Sequence, residues 1–148
     1  RNMPSSTGLS VIPPSPEYAE QHGLVGNPAN LSLCRLLHDR QAWGFDSDTD
    51  EWSSWARHAG VSLEACQLSM GFDRSDLAII AAMNHAGIAM GRKNLVSKRL
   101  ARNELVAPFA GLEVKCEQRY YMATLPNRAC PKIQAFIDWA QEMAAEME

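Results

Sequence analysis

The chain has 148 residues, 46% of them apolar and 21% charged, a globular composition that excludes a disordered or fibrous protein. No run approaches the ~18 apolar residues of a membrane span, and a length of this order serves one domain. Fourteen Lys and Arg against 17 Asp and Glu leave a formal charge of -3, which argues against a surface that itself grips nucleic acid.

The first fourteen residues, RNMPSSTGLSVIPP, hold three prolines and three serines around a short apolar piece and read as a segment cut from a longer chain. SPEYAEQHG follows as a short helix: Ser15 caps, Pro16 fits the first helical position, Glu17 suits the first turn and Gly23 ends it. Asn27-Pro28 marks a turn, and Cys34 to Leu37 suit a short buried strand. Residues 38 to 50, HDRQAWGFDSDTD, read as a loop. Asp50 then caps EWSSWARHAG, a two-turn helix with Trp52, Trp55 and Ala56 on one face and its end at Gly60.

Gln67 to Phe72 read as a strand, and Asp73, Arg74 and Ser75 open the most apolar helix of the chain. Seven consecutive apolar residues, Leu77 to Met83, predict burial nearly all round, with a stop at Ala86-Gly87. IAMG reads as a brief strand, RKNLVSKRLARNE as a basic helix or loop, and LVAPF as a short apolar element closed by Pro108. Strand, helix, strand predicts a parallel crossover unit. Leu112, Val114 and Cys116 alternate with Glu113, Lys115 and Glu117 as in a half-solvated strand, which enters a core from Tyr120 to Ala123. Pro131 starts a final helix with Ile133, Phe136, Ile137, Ala140, Met143 and Met147 at three-four spacing.

Four cysteines separated by 32, 50 and 14 positions make no zinc-ribbon spacing and read as reduced and buried. The scattered histidines form no metal motif, and no nucleophile elbow, P-loop or dinucleotide fingerprint is present. No catalytic residue, metal site or cofactor is expected. Two segments could bind a ligand. In GFDRSD, residues 71 to 76, a strand leads into a helix N-terminus, whose free amides collect carboxylates. Asp73 or Ser75 could instead be a plain cap, while Arg74 opposes the helix dipole and calls for an acidic neighbour or a ligand anion. HDRQAW, residues 38 to 43, lies past a strand's carboxyl end, where ligands of open α/β sheets gather. Trp52 and Trp55 read as packing residues, and the tract with Arg92, Lys93, Lys98, Arg99 and Arg102 as a solvated face.

The string VIPPSPEYA, LLHDRQAW, DEWSSWARHAGV, GFDRSDLAIIAAMNHAGIAMGR, LVAPF, YYMATLP and PKIQAFIDWA resembles, in this order, the effector-binding region of LysR-type transcriptional regulators. The similarity runs from about residue 11 to 140 and lies within the subgroup of the glycine-cleavage and beta-lactamase activators. HDRQAW, DEWSSW and GFDRSDLAIIAAMNHAGIAMGRK are most similar to regulators of D-serine breakdown.

The resemblance implies an α/β fold like the type 2 periplasmic binding proteins, with two subdomains joined by crossover strands and the effector between them. Residues 1–14 would then be an incomplete first-subdomain and crossover segment and residues 15–105 the complete second subdomain. Residues 106–148 would be the return crossover, closing strand and C-terminal helix of the first. It further implies a cytoplasmic activator that senses a small molecule, self-associates as a dimer or tetramer, meets no membrane, and binds DNA only through an N-terminal winged helix-turn-helix outside this chain. D-serine is the implied effector. In relatives the contacts match Asp73 to Ser75 and the crossover near Pro13 and Pro14, and a tyrosine matching Tyr120 or Tyr121 can also reach the pocket. A zwitterion asks for an anion clamp and a carboxylate in one small cleft. The expectation is that Arg74 or the helix amides take the carboxylate, Asp73 or Asp39 the ammonium, and Ser75 or Tyr121 the hydroxyl. A solute-binding protein of similar fold is the alternative, and an enzyme lacks any motif to support it.

Overall fold

In the computed structural model, Ser15 closes the first helix as its chemistry dictates. Its backbone is extended and its hydroxyl accepts from the Tyr18 amide at 3.2 Å, with Pro16 at the first helical position. The structure describes residues 9–11, 13–41, 50–115, 122–124 and 130–146, and they divide between two units. One is residues 9–114; the other combines residues 1–8 and 115–148.

The first unit begins with β1 (Leu9–Val11) and α1 (Pro16–Gln21). Gly23, at φ 58°, allows the left-handed turn that ends α1. The turn at Pro28 opens a 3-10 helix, Pro28–Leu33, which delivers the chain into β2 (Arg35–Asp39). Helix α2 (Asp50–Ala59), strand β3 (Gln67–Phe72) and helix α3 (Ser75–Met83) follow. β2 and β3 pair in parallel from Arg35↔Gln67 to Asp39↔Phe72, with an irregularity after Leu36. Ile88 returns after α3 to bridge Leu36 in parallel from the other side. The expected parallel crossover is present, with β2 in the middle. The IAMG strand shrinks to that bridge, and β4 (Gly91–Arg92) comes later to pair antiparallel with β1, Ser10 facing Arg92. The basic tract is a helix, α4 (Lys93–Ala101), and β5 (Val114–Lys115) begins at the last residue of this unit. LVAPF forms no strand. Its Val106 amide donates to the Pro14 carbonyl at 3.0 Å, and Leu105, Pro108 and Phe109 are buried.

Two apolar clusters clothe the two faces of this sheet. Leu36, Trp52, Trp55, Ile88 and Phe109 form one, on the α2 side; Leu37, Ala78, Ile79, Ala82, Val96 and Leu105 form the other, on the α3 side. The alternation of Leu36 and Leu37 follows from the two-residue period of a strand. Both tryptophans are packing residues, as expected: each is at most 2% exposed, and burial of an aromatic of this size contributes about 4 to 6 kcal/mol. Their indole N–H groups are satisfied by backbone, Trp52 donating to Leu37 O at 2.9 Å and Trp55 to Leu112 O at 3.0 Å.

Several expectations need correction. The loop at 38–50 starts late, because His38 and Asp39 belong to β2, whose pairing with β3 extends to them; Cys34 precedes the strand. Helix α3 is not buried all round: Leu77 and Ile80 are 40% and 45% exposed. Only its Ala78, Ile79 and Ala82 face packs on the sheet, and no described element of this unit covers the opposite face. Cys34 is buried, but Cys66 is half-buried and Cys130 exposed; all three are free thiols. Met122 is half-buried and Ala123 exposed, neither in a strand.

In the second unit α5 (Pro131–Ala145) starts at its proline as expected. None of its residues is buried, and Phe136 and Trp139 are 58% and 54% exposed with ring centroids 5.7 Å apart. Its apolar stripe has the spacing of a packing face but no described partner within that unit. Met147, Cys116, Tyr120 and Tyr121 lie outside the described residues.

Candidate functional site

The register of β2 against β3 builds the site. Asp39 faces Phe72, so the carboxyl end of β2 lies beside the residues that leave β3 and enter α3. Asp39 and the Asp73, Arg74, Ser75 turn thus share the carboxyl edge of the sheet, the place where open α/β sheets take ligands. The backbone there is knitted by the Arg40 amide, which donates to the Phe72 carbonyl at 2.8 Å. The Asp39 side chain accepts from the Gln41 amide at 3.0 Å, an Asx turn that ends the strand.

Arg74, rather than Asp73 or Ser75, occupies the N-cap of α3, with an extended backbone and no side-chain cap bond. The first amides of the helix therefore lack both intrahelical acceptors and a capping oxygen from that residue. The guanidinium of Arg74 finds the acidic neighbour that the sequence asked for: its Nε and Nη2 donate to the two carboxylate oxygens of Asp76 at 3.0 and 2.6 Å. Both side chains are exposed, so water screens the pair and its net worth is at most about 1 kcal/mol. Asp73 and Ser75 are exposed.

Pro14 is fully buried at the crossover, where its carbonyl accepts from Val106. Among the described residues no backbone hydrogen bond joins it to Asp39 or to the Asp73–Ser75 turn. Tyr121 falls outside the described residues.

Glu51 was missed by sequence reasoning. It is 5% exposed, and its Oε1 accepts from the Asp39 amide at 3.1 Å. In β2 the Leu37 amide donates sideways to Ile88 O, whereas the Arg40 amide donates to β3. Asp39, two residues after Leu37, points its amide to the Ile88 side, and Glu51 supplies the acceptor that a longer neighbouring strand would have offered. Burial pushes the Glu51 carboxyl up to about 8; the Asp39 amide opposes this and the Asp39 carboxylate adds to it. At neutral pH it is mostly a neutral acid. The signal was available: Glu51 stands one turn before Trp55, on the helix face that Trp52 and Trp55 bury.

A cavity of about 490 Å³ lies at the opposite, amino end of β2, lined by Tyr18, His22, Cys34, Arg35 and His85 among others. Burial pushes the Tyr18 phenol up and the Cys34 thiol to about 11, so neither presents an anion there. The Tyr18 hydroxyl instead accepts from the Arg35 amide at 3.1 Å. None of the effector-binding candidates, Asp39, Asp73, Arg74, Ser75 or Pro14, lines this groove.

Comparison with known proteins gives this geometry a family. The LysR substrate binding domain matches residues 10–145. The chain is 62% identical over 128 residues to the HTH-type transcriptional regulator DsdC of Escherichia coli K12, covering 86% of this chain and 41% of that protein. Against the HTH-type transcriptional activator AmpR of Pseudomonas aeruginosa it is 32% identical over 132 residues, covering 88% of this chain and 40% of the relative. It spans about two-fifths of the length of these curated relatives. Among solved structures, the effector domain of that AmpR superposes with a TM-score of 0.73 at 28% identity, covering 98% of this chain and 63% of the other. The AmpR effector binding domain of Citrobacter freundii, at 22% identity, shares the fold with a TM-score of 0.73, over 99% of this chain and 67% of that one. With its α/β, periplasmic-binding-protein-like fold, the chain belongs to the LysR substrate-binding domain family.

Proposed function

We propose that this chain is the ligand-sensing and self-associating region of a LysR-type transcriptional activator that responds to D-serine and turns on D-serine catabolism. The identity of 62% to DsdC supports this, together with the similarity of HDRQAW, DEWSSW and GFDRSD to regulators of D-serine breakdown. The region senses rather than catalyses: it holds a zwitterion and returns it unchanged. It works in the cytoplasm as part of a dimer or tetramer, and contact with DNA falls to a winged helix-turn-helix of the kind that precedes such regions in the family. Its own charge of -3 suits a part that does not touch phosphate.

The observation that carries the reading is the alignment of Asp39 with Phe72, which sets a carboxylate beside the free amide end of α3. In this arrangement Asp39 or Asp73 takes the ammonium, the α3 amides or Arg74 the carboxylate, and Ser75 or Tyr121 the hydroxyl, with Pro14 at the crossover wall. A ligand activates only through different affinities for two arrangements of the protein, so D-serine must favour one packing of paired sensory regions over another. Thermal-shift and calorimetric titration of the intact protein with D- and L-serine test this. D-serine at 100 times its dissociation constant adds about 2.7 kcal/mol of stability, and Asp39→Asn weakens its binding. Equal and negligible responses to both enantiomers refute the reading.

A further inference from the structure

We propose that Cys34 and Cys66 are a site of reversible oxidation, two thiols that a peroxide joins into one disulfide across the amino ends of β2 and β3. The inference is independent of which effector the region senses. The two residues stand 32 positions apart in the chain, and strand register brings them together. Arg35 pairs with Gln67 in parallel, so the residues just before them, Cys34 and Cys66, enter neighbouring strands side by side. Adjacent strands lie about 4.8 Å apart, within the roughly 4.4 to 6.8 Å between Cα atoms that a disulfide spans. Both side chains belong to one face: Cys34 is part of the apolar cluster on the α2 side, and Cys66 packs against that cluster. One carbonyl marks how close they come. Leu31 O accepts from the Cys34 amide at 3.0 Å and from the Cys66 thiol at 3.2 Å, while the Cys34 thiol donates to Asn30 O at 3.4 Å.

The contrast between the two thiols sets the order of events. Cys34 is 2% exposed, whereas Cys66 is half-buried, so peroxide meets Cys66 first. The Cys66 thiolate attacks a peroxide oxygen, the O–O bond breaks, and a sulfenic acid forms as one water leaves. The Cys34 sulfur then displaces the sulfenic hydroxyl as a second water and closes the S–S bond. Two thiols give up two electrons and two protons, and one hydrogen peroxide becomes two waters. Burial pushes both thiols above their ordinary value and keeps them protonated at neutral pH. The reaction is therefore slow there and gains about tenfold with each pH unit, in step with the thiolate fraction. The ring it closes holds β2 and α2 and restricts the unfolded chain more than the folded one.

The test exposes the intact protein to a slight excess of hydrogen peroxide at two values one pH unit apart and maps disulfides by mass spectrometry of tryptic peptides. The expected product is a linked Cys34–Cys66 peptide pair, about 2 Da lighter than the two thiol peptides together. It forms about tenfold faster at the higher pH and returns to thiols with dithiothreitol. The oxidised protein melts several degrees higher than the reduced one. Cys66→Ser abolishes both the linked peptide and the rise in melting temperature, whereas Cys130→Ser leaves both in place. Exposed Cys130 reports in the wild type that the oxidant has acted. If Cys130 is oxidised while Cys34 and Cys66 stay thiols, or if Cys66 passes on to sulfinic acid with no linked peptide, the proposal is overturned.

Discussion

Replacing Glu51 by glutamine isolates the physical consequence of a carboxyl group buried against Asp39. Glutamine preserves the shape and an oxygen to accept from the Asp39 amide, now 3.1 Å from Oε1, but it cannot ionise. In the wild type the folded-state value is about 8 against an ordinary 4.5. Below pH 4.5 the carboxyl is protonated in both states and its contribution to stability is complete. As the pH rises, the unfolded chain releases the proton while the folded chain keeps it, and stability is lost until the folded group also ionises near pH 8. At 1.36 kcal/mol per pH unit the loss is about 3 kcal/mol at pH 7 and about 5 kcal/mol at pH 8 and above. Because the side chain is 5% exposed, solvent screening does little to reduce it. Urea denaturation of the wild type and Glu51→Gln across pH 4.5 to 8.5 reads the effect directly. The variant's advantage grows with pH and levels off near pH 8. Two stability curves that stay parallel throughout that range refute the placement of Glu51 in a desolvated pocket.

Three further substitutions probe the frame around the site. Trp52→Phe removes the indole donor from a buried Leu37 carbonyl; urea melts should show a loss of about 2 to 4 kcal/mol. Gly87→Ala places a Cβ 2.5 Å from the Arg35 carbonyl, the same oxygen that accepts from Ile88 N at 2.9 Å. Backbone cannot swing aside as a side chain does, so the bridge to β2 opens and stability falls by about 2 kcal/mol or more, with faster exchange of the Ile88 amide. Ser15→Ala deletes the cap of α1 and the 2.7 Å contact with His85 Nδ1, lowering the melting free energy by about 1 kcal/mol.

Elements with strong local signals were legible in the sequence. Ser15-Pro16, the Trp52 and Trp55 face, the QLSMGF strand and Pro131 all announce themselves through capping, periodicity or fixed φ, and each element stands where those signals place it. Burial was less legible where it depends on what lies outside an element. The run from Leu77 to Met83 says that α3 is apolar, yet only one face packs on the sheet, because a seven-residue pattern carries no information about how many layers surround it. The same holds for Phe136 and Trp139 on α5, whose spacing is that of a packing face although both are exposed. At the site, the sequence put GFDRSD and HDRQAW forward separately; their meeting is a matter of strand register, which no local pattern encodes. Glu51 escaped for a related reason. It is explained by one neighbour distant in sequence, the Asp39 amide.

The central claim is that an amino acid binds at the carboxyl ends of β2 and β3. A crystal structure of the intact protein grown with D-serine tests it most directly. The account predicts the ligand between Asp39 on one side and the Asp73, Arg74, Ser75 turn on the other. Ligand lodged instead in the groove at the amino end of β2, against His22, Arg35 and His85, would contradict it.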